Sequence, residues 1–327
     1  MPSPISRICL PLVLAFGLQV SAARAEPSGD LLFAVDNQGA LARGFALPSL
    51  GQSGVLSDGQ QQWRAALDWT NEFVSEQTAD ESILEDGETQ RYSLGWRRGF
   101  GSGLELNAEL PLLITGGGIL DGVIQNWHNL FNLPDGGRDT VPNDQYHYQY
   151  IRNGNTLLDV DTATVGLGDI TLGGGWQALS GLAVRAMIKL PTGDAGRLLG
   201  GNPGGALWAD YNLFPQSPRW SGFLSAGASM NGSSDTLGAE QHPVVAFGGT
   251  GVGYRLTSRW LALVQLYGHS KLYRDSDVDP FRKEGLQLTF GGRYELSNSN
   301  SITFGVQEDL VTDSSPDVSF HLGWSWR

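Results

Sequence analysis

The feature that most constrains this chain is alternation of apolar and polar side chains at period two, repeated between turn signals from residue 63 to the end. Trp63, Ala65, Leu67 and Trp69 alternate with Arg64, Ala66, Asp68 and Thr70. Tyr92, Leu94 and Trp96 alternate with Arg91, Ser93, Gly95 and Arg97, and Leu104, Leu106, Ala108, Leu110 and Leu112 alternate with Glu105, Asn107 and Glu109. The pattern returns at Leu182–Leu190 and at Leu286–Tyr294, where Arg185, Lys189, Arg293 and Glu295 take the polar positions. Successive strand side chains point to opposite faces, so each segment carries one apolar and one charged face. Segments of about ten such residues are the length of a strand crossing a bilayer.

A soluble β-sandwich alternates too, so connection length has to decide. Short turns fall at Gly99–Gly103, Ser180–Gly181, Pro215–Arg219, Thr257–Arg259 and Ser297–Ser301. Long connections fall between them, at Ser75–Thr89, Ile114–Thr164, Pro191–Gly205, Asn231–Pro243, His269–Glu284 and Asp309–Pro316. Short and long alternate, as in barrels with tight periplasmic turns and long external loops. Aromatics add a second constraint. Trp63, Trp220 and Trp260 begin upward strands, while Phe100, Trp176, Phe214, Tyr254, Tyr294 and Trp326 end downward ones, which places all nine at one height. The fold expected is an all-β, antiparallel, up-and-down transmembrane barrel of about twelve strands. Ser221–Met230 and Leu261–Tyr267 are apolar on both faces, so alternation leaves their orientation open. The last strand, Val318 to Trp326, resembles the terminal strand read by barrel-assembly machinery, although its final aromatic is penultimate, before Arg327.

The first 25 residues read as a signal peptide. Arg7 precedes an apolar run from Ile8 to Val20, and Ala23-Arg24-Ala25 fits a cleavage site. Removing them takes Arg7 and Arg24 from the 21 basic residues and leaves 19 against 34 acidic ones, a net charge of −15. The one cysteine, Cys9, leaves as well, and with it any disulfide or thiolate chemistry. The acidity argues against a nucleic-acid partner. No later stretch is apolar for the roughly 20 residues that a spanning helix needs. The location expected is the cell outer membrane, with outer-membrane lipid and lipopolysaccharide as neighbours. Residues 26–62 form a segment that could be a lumen plug, a periplasmic cap or a partial strand, and the barrel runs from 63 to 327.

On the inner face the alternation puts Arg64, Asp68, Arg91, Arg97, Glu105, Glu109, Arg185, Lys189, Arg293 and Glu295, and Glu72 with them. Twelve strands lies between the side-chain-filled barrel of about eight and the open porins of about sixteen. The lumen is therefore a narrow channel, a plugged barrel or an enzyme scaffold.

Ile114–Thr164 is too long for a plain connector. Ile119, Leu120, Val123, Ile124, Trp127, Leu130 and Phe131 recur at helical spacing and predict an amphipathic helix from Leu120 to Leu133, stopped by Pro134. Tyr146, His147, Tyr148 and Tyr150 follow. Asp86-Gly87-Glu88-Thr89, Gly118-Ile119-Leu120-Asp121, Ile124, Trp127-His128, Phe131, Leu133-Pro134 and Arg138 resemble the DUF3187 family of bacterial outer-membrane proteins. Gly166-Leu167-Gly168-Asp169 and Leu190-Pro191-Thr192-Gly193-Asp194 resemble elements shared with barrel families that include candidate aromatic-compound transporters. The resemblance covers most of the mature chain. It implies an outer-membrane barrel and no established activity.

Asp121, His128 and Arg138 are the candidate chemistry. Two turns of helix would align Asp121 with His128, as an anion site or an acid–base pair. The plainer reading is a loop folded over the barrel mouth, with Asp121 as a cap and His128 bonded to a neighbouring loop. No serine sits in a nucleophile elbow, and the histidines lack zinc spacing. Asp80, Glu81, Glu85, Asp86 and Glu88 make the first external loop acidic, a place where a divalent cation could sit, although the spacing matches no twelve-residue calcium loop. No other cofactor is indicated. Three functions remain: a narrow channel or transporter for small solutes gated by the 114–164 loop, a lipid-modifying enzyme using Asp121 and His128, or a structural or surface barrel without transport.

Overall fold

The computed structural model describes residues 32–122, 142–311 and 313–327. The strands are β1 (Gln61–Gln77), β2 (Glu81–Phe100), β3 (Leu104–Gly116), β4 (His147–Arg152), β5 (Asn155–Val160), β6 (Thr164–Leu167), β7 (Thr171–Leu179) and β8 (Leu182–Lys189). They continue as β9 (Gly204–Asn212), β10 (Trp220–Asn231), β11 (Val244–Arg255), β12 (Trp260–His269), β13 (Gly285–Glu295), β14 (Asn300–Asp309) and β15 (Val318–Trp326). From β7 to β15 each strand pairs with its sequence neighbour. β15 returns to β1 in antiparallel register from Trp63↔Trp326 to Asn71↔Val318, which closes the wall. β6 and β7 both pair with β3, one above the other, and count as a single wall strand. The wall is thus a closed antiparallel barrel of twelve strands, as the connection pattern predicts. Closure satisfies every ladder and leaves no edge along the barrel wall.

The girdle follows from the register. Trp220 lies opposite Tyr254, Trp260 opposite Tyr294, and Trp63 between Trp96 and Trp326. Trp63 and Trp326 stack with ring centroids 6.4 Å apart, and Trp260 and Tyr294 meet at 4.7 Å. Above this ring the outer face is apolar. Leu106, Ile188, Leu207, Leu224 and Leu322 expose half their surface or more, and polar partners on the same strands turn inward. No helix among the described residues is long and apolar enough to cross a membrane.

Two expectations change. Ser75–Thr89 is strand rather than a long loop, because β1 and β2 run on as a hairpin turned at residues 78–80. The upper half of β2 gains a second partner, β4, from Glu81↔Arg152 to Asp86↔His147. That extra ladder lets the hairpin stand clear of the belt. The alternation of short and long connections is broken there and holds elsewhere. Consequently Glu81, Glu85, Asp86 and Glu88 are buried in a strand instead of lining an exposed acidic loop. The Ile114–Thr164 connection likewise contains the β4–β5 hairpin. Tyr146, Tyr148 and Tyr150 turn inward, and His147 pairs with Asp159 outside at 2.9 Å. Helical backbone begins at Leu120 as the spacing predicts, and the rest of that helix lies outside the described residues.

Candidate functional site

Residues 32–56 lie inside the barrel and form a plug. Its apolar side chains, from both halves of the segment, pack on the inner faces of β10 and β12. Leu32, Phe33, Val35, Leu41, Phe45 and Leu50 share one buried cluster with Phe223, Leu261, Leu263 and Tyr267. This settles the two ambiguous strands. They are apolar on both faces because one face meets lipid-side surface and the other meets the plug. The plug's backbone is satisfied by wall side chains. Phe33 N donates to Gln265 Oε1 at 3.1 Å, Arg64 Nη1 donates to the Ala34 carbonyl at 3.0 Å, and Leu56 N donates to Glu105 Oε2 at 2.7 Å. Arg97 and Arg185 both donate to the Gly54 carbonyl. A loop buried in a lumen needs such partners, since an unmet backbone group costs about as much as a lost hydrogen bond. Gly51, at φ +126°, is required where the plug doubles back, because a Cβ there would sit 1.9 Å from the Phe33 carbonyl oxygen.

The inward charges form two clusters on the β1–β3 and β8–β9 side, one around Glu109 and Asp68 and one around Glu105. Glu109 takes Arg64 and Arg91, each at 2.5 Å. Asp68 takes His321 at 2.6 Å and lies 3.7 Å from Arg91. Glu105 takes Arg97 at 2.7 Å and Arg185 at 2.9 Å, and Arg185 reaches on to Asp210 at 2.6 Å. Arg293 and Glu295 pair lower on β13 at 3.0 Å. All ten residues read as lumen-facing lie on the inner side, joined by Asp210 and His321. His321 stands in the polar phase of the last strand, which was read for its apolar face, and could have been found from it; Asp210 shares its phase with Ala206 and Trp208, so no alternation marks it.

Between the plug and the β2, β3 and β8 wall lies a cavity of about 150 Å³. Its polar lining includes Asp36, Arg43, Gln52, Arg91 and Lys189, and its apolar lining Phe45, Leu113 and Met187. Burial pushes the Asp36 carboxyl up to about 6, with Arg91 opposing and Glu109 and Asp68 adding to the rise. At the rim of the barrel beside the aromatic girdle a polar recess of about 440 Å³ is lined by Gln62, Arg255, Arg293 and Arg327.

The wall strand opposite β3 is broken at residues 168–170, and both glycine-aspartate motifs meet there. Asp169 turns inward, accepts from Gly193 N and Gly201 N at 2.8 Å, and binds Lys189 Nζ. Thr192 Oγ1 donates to the Gly168 carbonyl at 2.7 Å and accepts from Ile170 N at 2.9 Å. The β8–β9 loop is thereby tied across the break. Asp169→Ala would leave Lys189 uncompensated with two orphaned glycine N–H groups. We expect a loss of about 3–5 kcal/mol, the usual cost of removing one partner of a buried pair. The temperature at which the folded gel band converts to the unfolded one should drop; an unchanged temperature would show that the tie is idle.

Asp121 is 5 % exposed and sits over β1, accepting from Asn71 Nδ2 at 2.9 Å and from Asp144 N at 2.8 Å. Glu88 accepts from Trp69 Nε1 at 2.8 Å and from Leu120 N. Asp86, also buried, lies opposite Phe73 and His147. Asp121 and Glu88 therefore fasten both ends of the long loop to the barrel. Trp127, His128 and Arg138 lie outside the described residues, so their approach to Asp121 does too. Both Asp121 carboxylate oxygens are engaged, which suits an anchor. Among the described residues no three histidine or carboxylate side chains converge as a metal site.

The fold resembles that of the COG4313 outer membrane channel from Pseudomonas putida F1, with a TM-score of 0.55 at 13% identity over 85% of this chain and 98% of that one. The CymD monoaromatic hydrocarbon channel gives a TM-score of 0.44 at 11% identity, over 90% of this chain and 94% of that one. The Pseudomonas putida toluene transporter TodX gives 0.42 at 11% identity, over 90% and 98%. At such identities the likeness concerns the fold alone. No curated protein matches the chain in sequence. The family model for proteins of unknown function DUF3187 matches residues 8–327, nearly the whole length, and the chain belongs to that family.

Proposed function

We propose that this protein is an outer-membrane channel for small solutes whose gate is the plug, held from the external side by the Ile114–Thr164 loop. The observation that carries the reading is a closed, lipid-compatible barrel whose charged lumen is filled by a separate chain segment rather than by wall side chains. A filled eight-stranded barrel needs no plug; a twelve-stranded one has room to spare once the plug moves. The loop bears on the plug through Glu72. Tyr148 of the hairpin donates to Glu72 Oε2 at 2.9 Å, and the same carboxylate accepts from Ala40 N at 3.0 Å. Small hydrophilic solutes suit the inner wall; the apolar half of the plug interface leaves room for solutes with an apolar part. The outer-membrane location rests on the apolar belt, the aromatic girdle and the predicted signal peptide.

Gly305→Val tests the gate. A Cβ at Gly305 would lie 2.8 Å from Phe33 Cε1 and 3.2 Å from the Phe290 carbonyl oxygen of β13, so a larger side chain collides with the plug, and heat-modifiable migration checks that the barrel still folds. In planar bilayers the variant should spend more time in conducting levels than the wild type. A folded variant with wild-type traces would remove the plug as the gate, and absence of steps from every folded form would remove the channel.

A further inference from the structure

We infer that the recess at the girdle-side mouth is a vestibule that draws small anions to the lumen, through excess charge on Arg255, Arg259 and Arg293. The inference deepens the channel reading by naming a solute class, and it rests on that reading. The mouth has two halves. Residues 56–60 fill one: Gly59 N donates to the Gly99 carbonyl at 3.1 Å, and Gly99 N to the Gln60 carbonyl at 2.9 Å. The other half, bounded by the β11–β12 turn, the β13–β14 turn and the end of β15, is the recess of about 440 Å³. It lies on the inner side of the wall, because Gln62, Arg293 and Ser301 line it and are buried. Arg255 shares that side with Arg293, since both stand opposite Leu261, which packs on the plug. Two strand spacings of about 4.8 Å set the two positions roughly 10 Å apart.

Deeper in the lumen, cations and carboxylates balance. Arg64 and Arg91 answer Glu109 and Asp68, Arg97 and Arg185 answer Glu105 and Asp210, and Lys189 answers Asp169. The recess does not balance. Arg255 Nη1 donates to the Ser258 carbonyl at 3.3 Å and Arg259 Nη1 to Tyr294 Oη at 3.4 Å; neither arginine has an ion pair among the described residues. Glu295 is the acidic side chain on the lining, and Arg293 already holds it at 3.0 Å. Arg327 brings a guanidinium and, as the last residue, a carboxylate, and so adds no net charge. Three arginines against one carboxylate leave two positive charges in excess. Asp58, the acid on residues 56–60, lies by Gly101 in the other half of the mouth. The chain as a whole is acidic, at −13, but exposed acids such as Asp80, Asp159, Asp275 and Asp277 stand at the loop end. A belt roughly 25 Å tall separates the two ends, and charges are screened beyond about 8–10 Å.

The size of the effect follows from Coulomb's law. Two unit charges about 8 Å from a small anion in water enrich it roughly fivefold at low salt. A concave mouth with protein walls focuses the field further, and arginines placed at a pore entrance select anions in this way. Salt at about 1 M shortens the screening length to about 3 Å and removes the enrichment. The lining is mainly polar, with Ser297, Asn298 and Ser299 on one turn, so the occupant is a hydrated anion rather than an amphiphile.

The test reads the local charge and the permeating ion separately. Cys9 lies in the predicted signal peptide, so Ser299→Cys gives the mature protein one thiol, on the recess, for a fluorescent label. In detergent at low salt, iodide should quench this label more strongly, relative to thallium, than it quenches the free dye. Arg255→Gln with Arg259→Gln should lower that iodide-to-thallium ratio by about threefold or more, and about 1 M potassium fluoride should erase the difference. Arg98→Gln, whose guanidinium lies over the Phe100 ring and outside the recess, should leave the ratio unchanged. Heat-modifiable migration checks that each variant is folded. In planar bilayers under a potassium chloride gradient, the double variant should lose chloride permeability relative to potassium by about twofold or more. Equal quenching in wild type and folded double variant would overturn the vestibule. Conductance steps whose reversal potential the double variant leaves unmoved would overturn anion selection and spare the channel reading. Absence of steps from every folded form would sink the channel reading and solute selection with it, whatever the label reports.

Discussion

Deletion of residues 32–56 should convert an occluded barrel into an open pore. The plug supplies apolar cover for Phe223, Leu261, Leu263 and Tyr267, and its backbone carbonyls receive Arg64, Arg97 and Arg185. Without it the lumen wall is water-facing, charged on the β1–β3 and β8–β9 side and apolar on the β10 and β12 side. The barrel itself should survive, because its ladders are continuous from β1 round to β15 and none depends on the plug. Stability should nevertheless fall, since each large apolar side chain returned to water costs about 1.5–3 kcal/mol. The expected signature is therefore a pair of changes: long-lived conductance steps well above those of the wild type, and a lower temperature of heat-modifiable conversion. A folded deletion variant that conducts no better than the wild type would show that the plug does not occlude the path.

Arg185→Ala should be the most damaging single change in the lumen. Arg185 is 1 % exposed, and its guanidinium is shared by Glu105, Asp210 and the Gly54 carbonyl. Truncation leaves two buried carboxylates with one cation, Arg97, which is paired to Glu105, and leaves Asp210 without its ion pair. The expected loss is about 3–5 kcal/mol, the range for breaking a buried ion pair from one side. The accompanying loss of a plug anchor should raise the frequency of conducting events. Arg185→Lys should recover only part of this, because an ammonium cannot present the fork that spans Glu105 and Asp210. Urea unfolding in detergent measures the first effect and bilayer recordings the second. A midpoint within error of the wild type would mean that the network contributes nothing to holding wall and plug together.

Much of the barrel was written locally. Period-two alternation fixes which side chains face in and out, and a one-residue slip would put Arg64, Asp68 and Glu109 against lipid. The turns fix where strands reverse, and the tryptophan and tyrosine positions fix their height. These are properties of ten residues at a time, so they survive in the sequence without knowledge of any partner. The expectation failed where a distant segment intervened. Ser75–Thr89 looked like a loop because it is acidic and glycine-bearing, and β4, some seventy residues on, makes it a strand. Ser221–Met230 and Leu261–Tyr267 could not be oriented because their second apolar face answers to Phe33 and Leu50.

The candidate site was legible only in part. The lumen arginines and carboxylates stand at alternating positions and can be picked out one strand at a time. Arg43 cannot, since nothing around it in the sequence marks it as lining a cavity inside the barrel. Asp121 was visible as a motif residue, but its engagement by Asn71 and Asp144 depends on how the loop folds back on β1. By itself, then, the sequence determined the barrel, its strand number and its inward charges, because strand geometry converts spacing directly into direction. Only the tertiary structure decided what fills the lumen, which charges pair with which and where the long loop is tied. Those depend on contacts between segments far apart in the chain, and hydrophobic burial and charge pairing carry no record of their partner in local sequence.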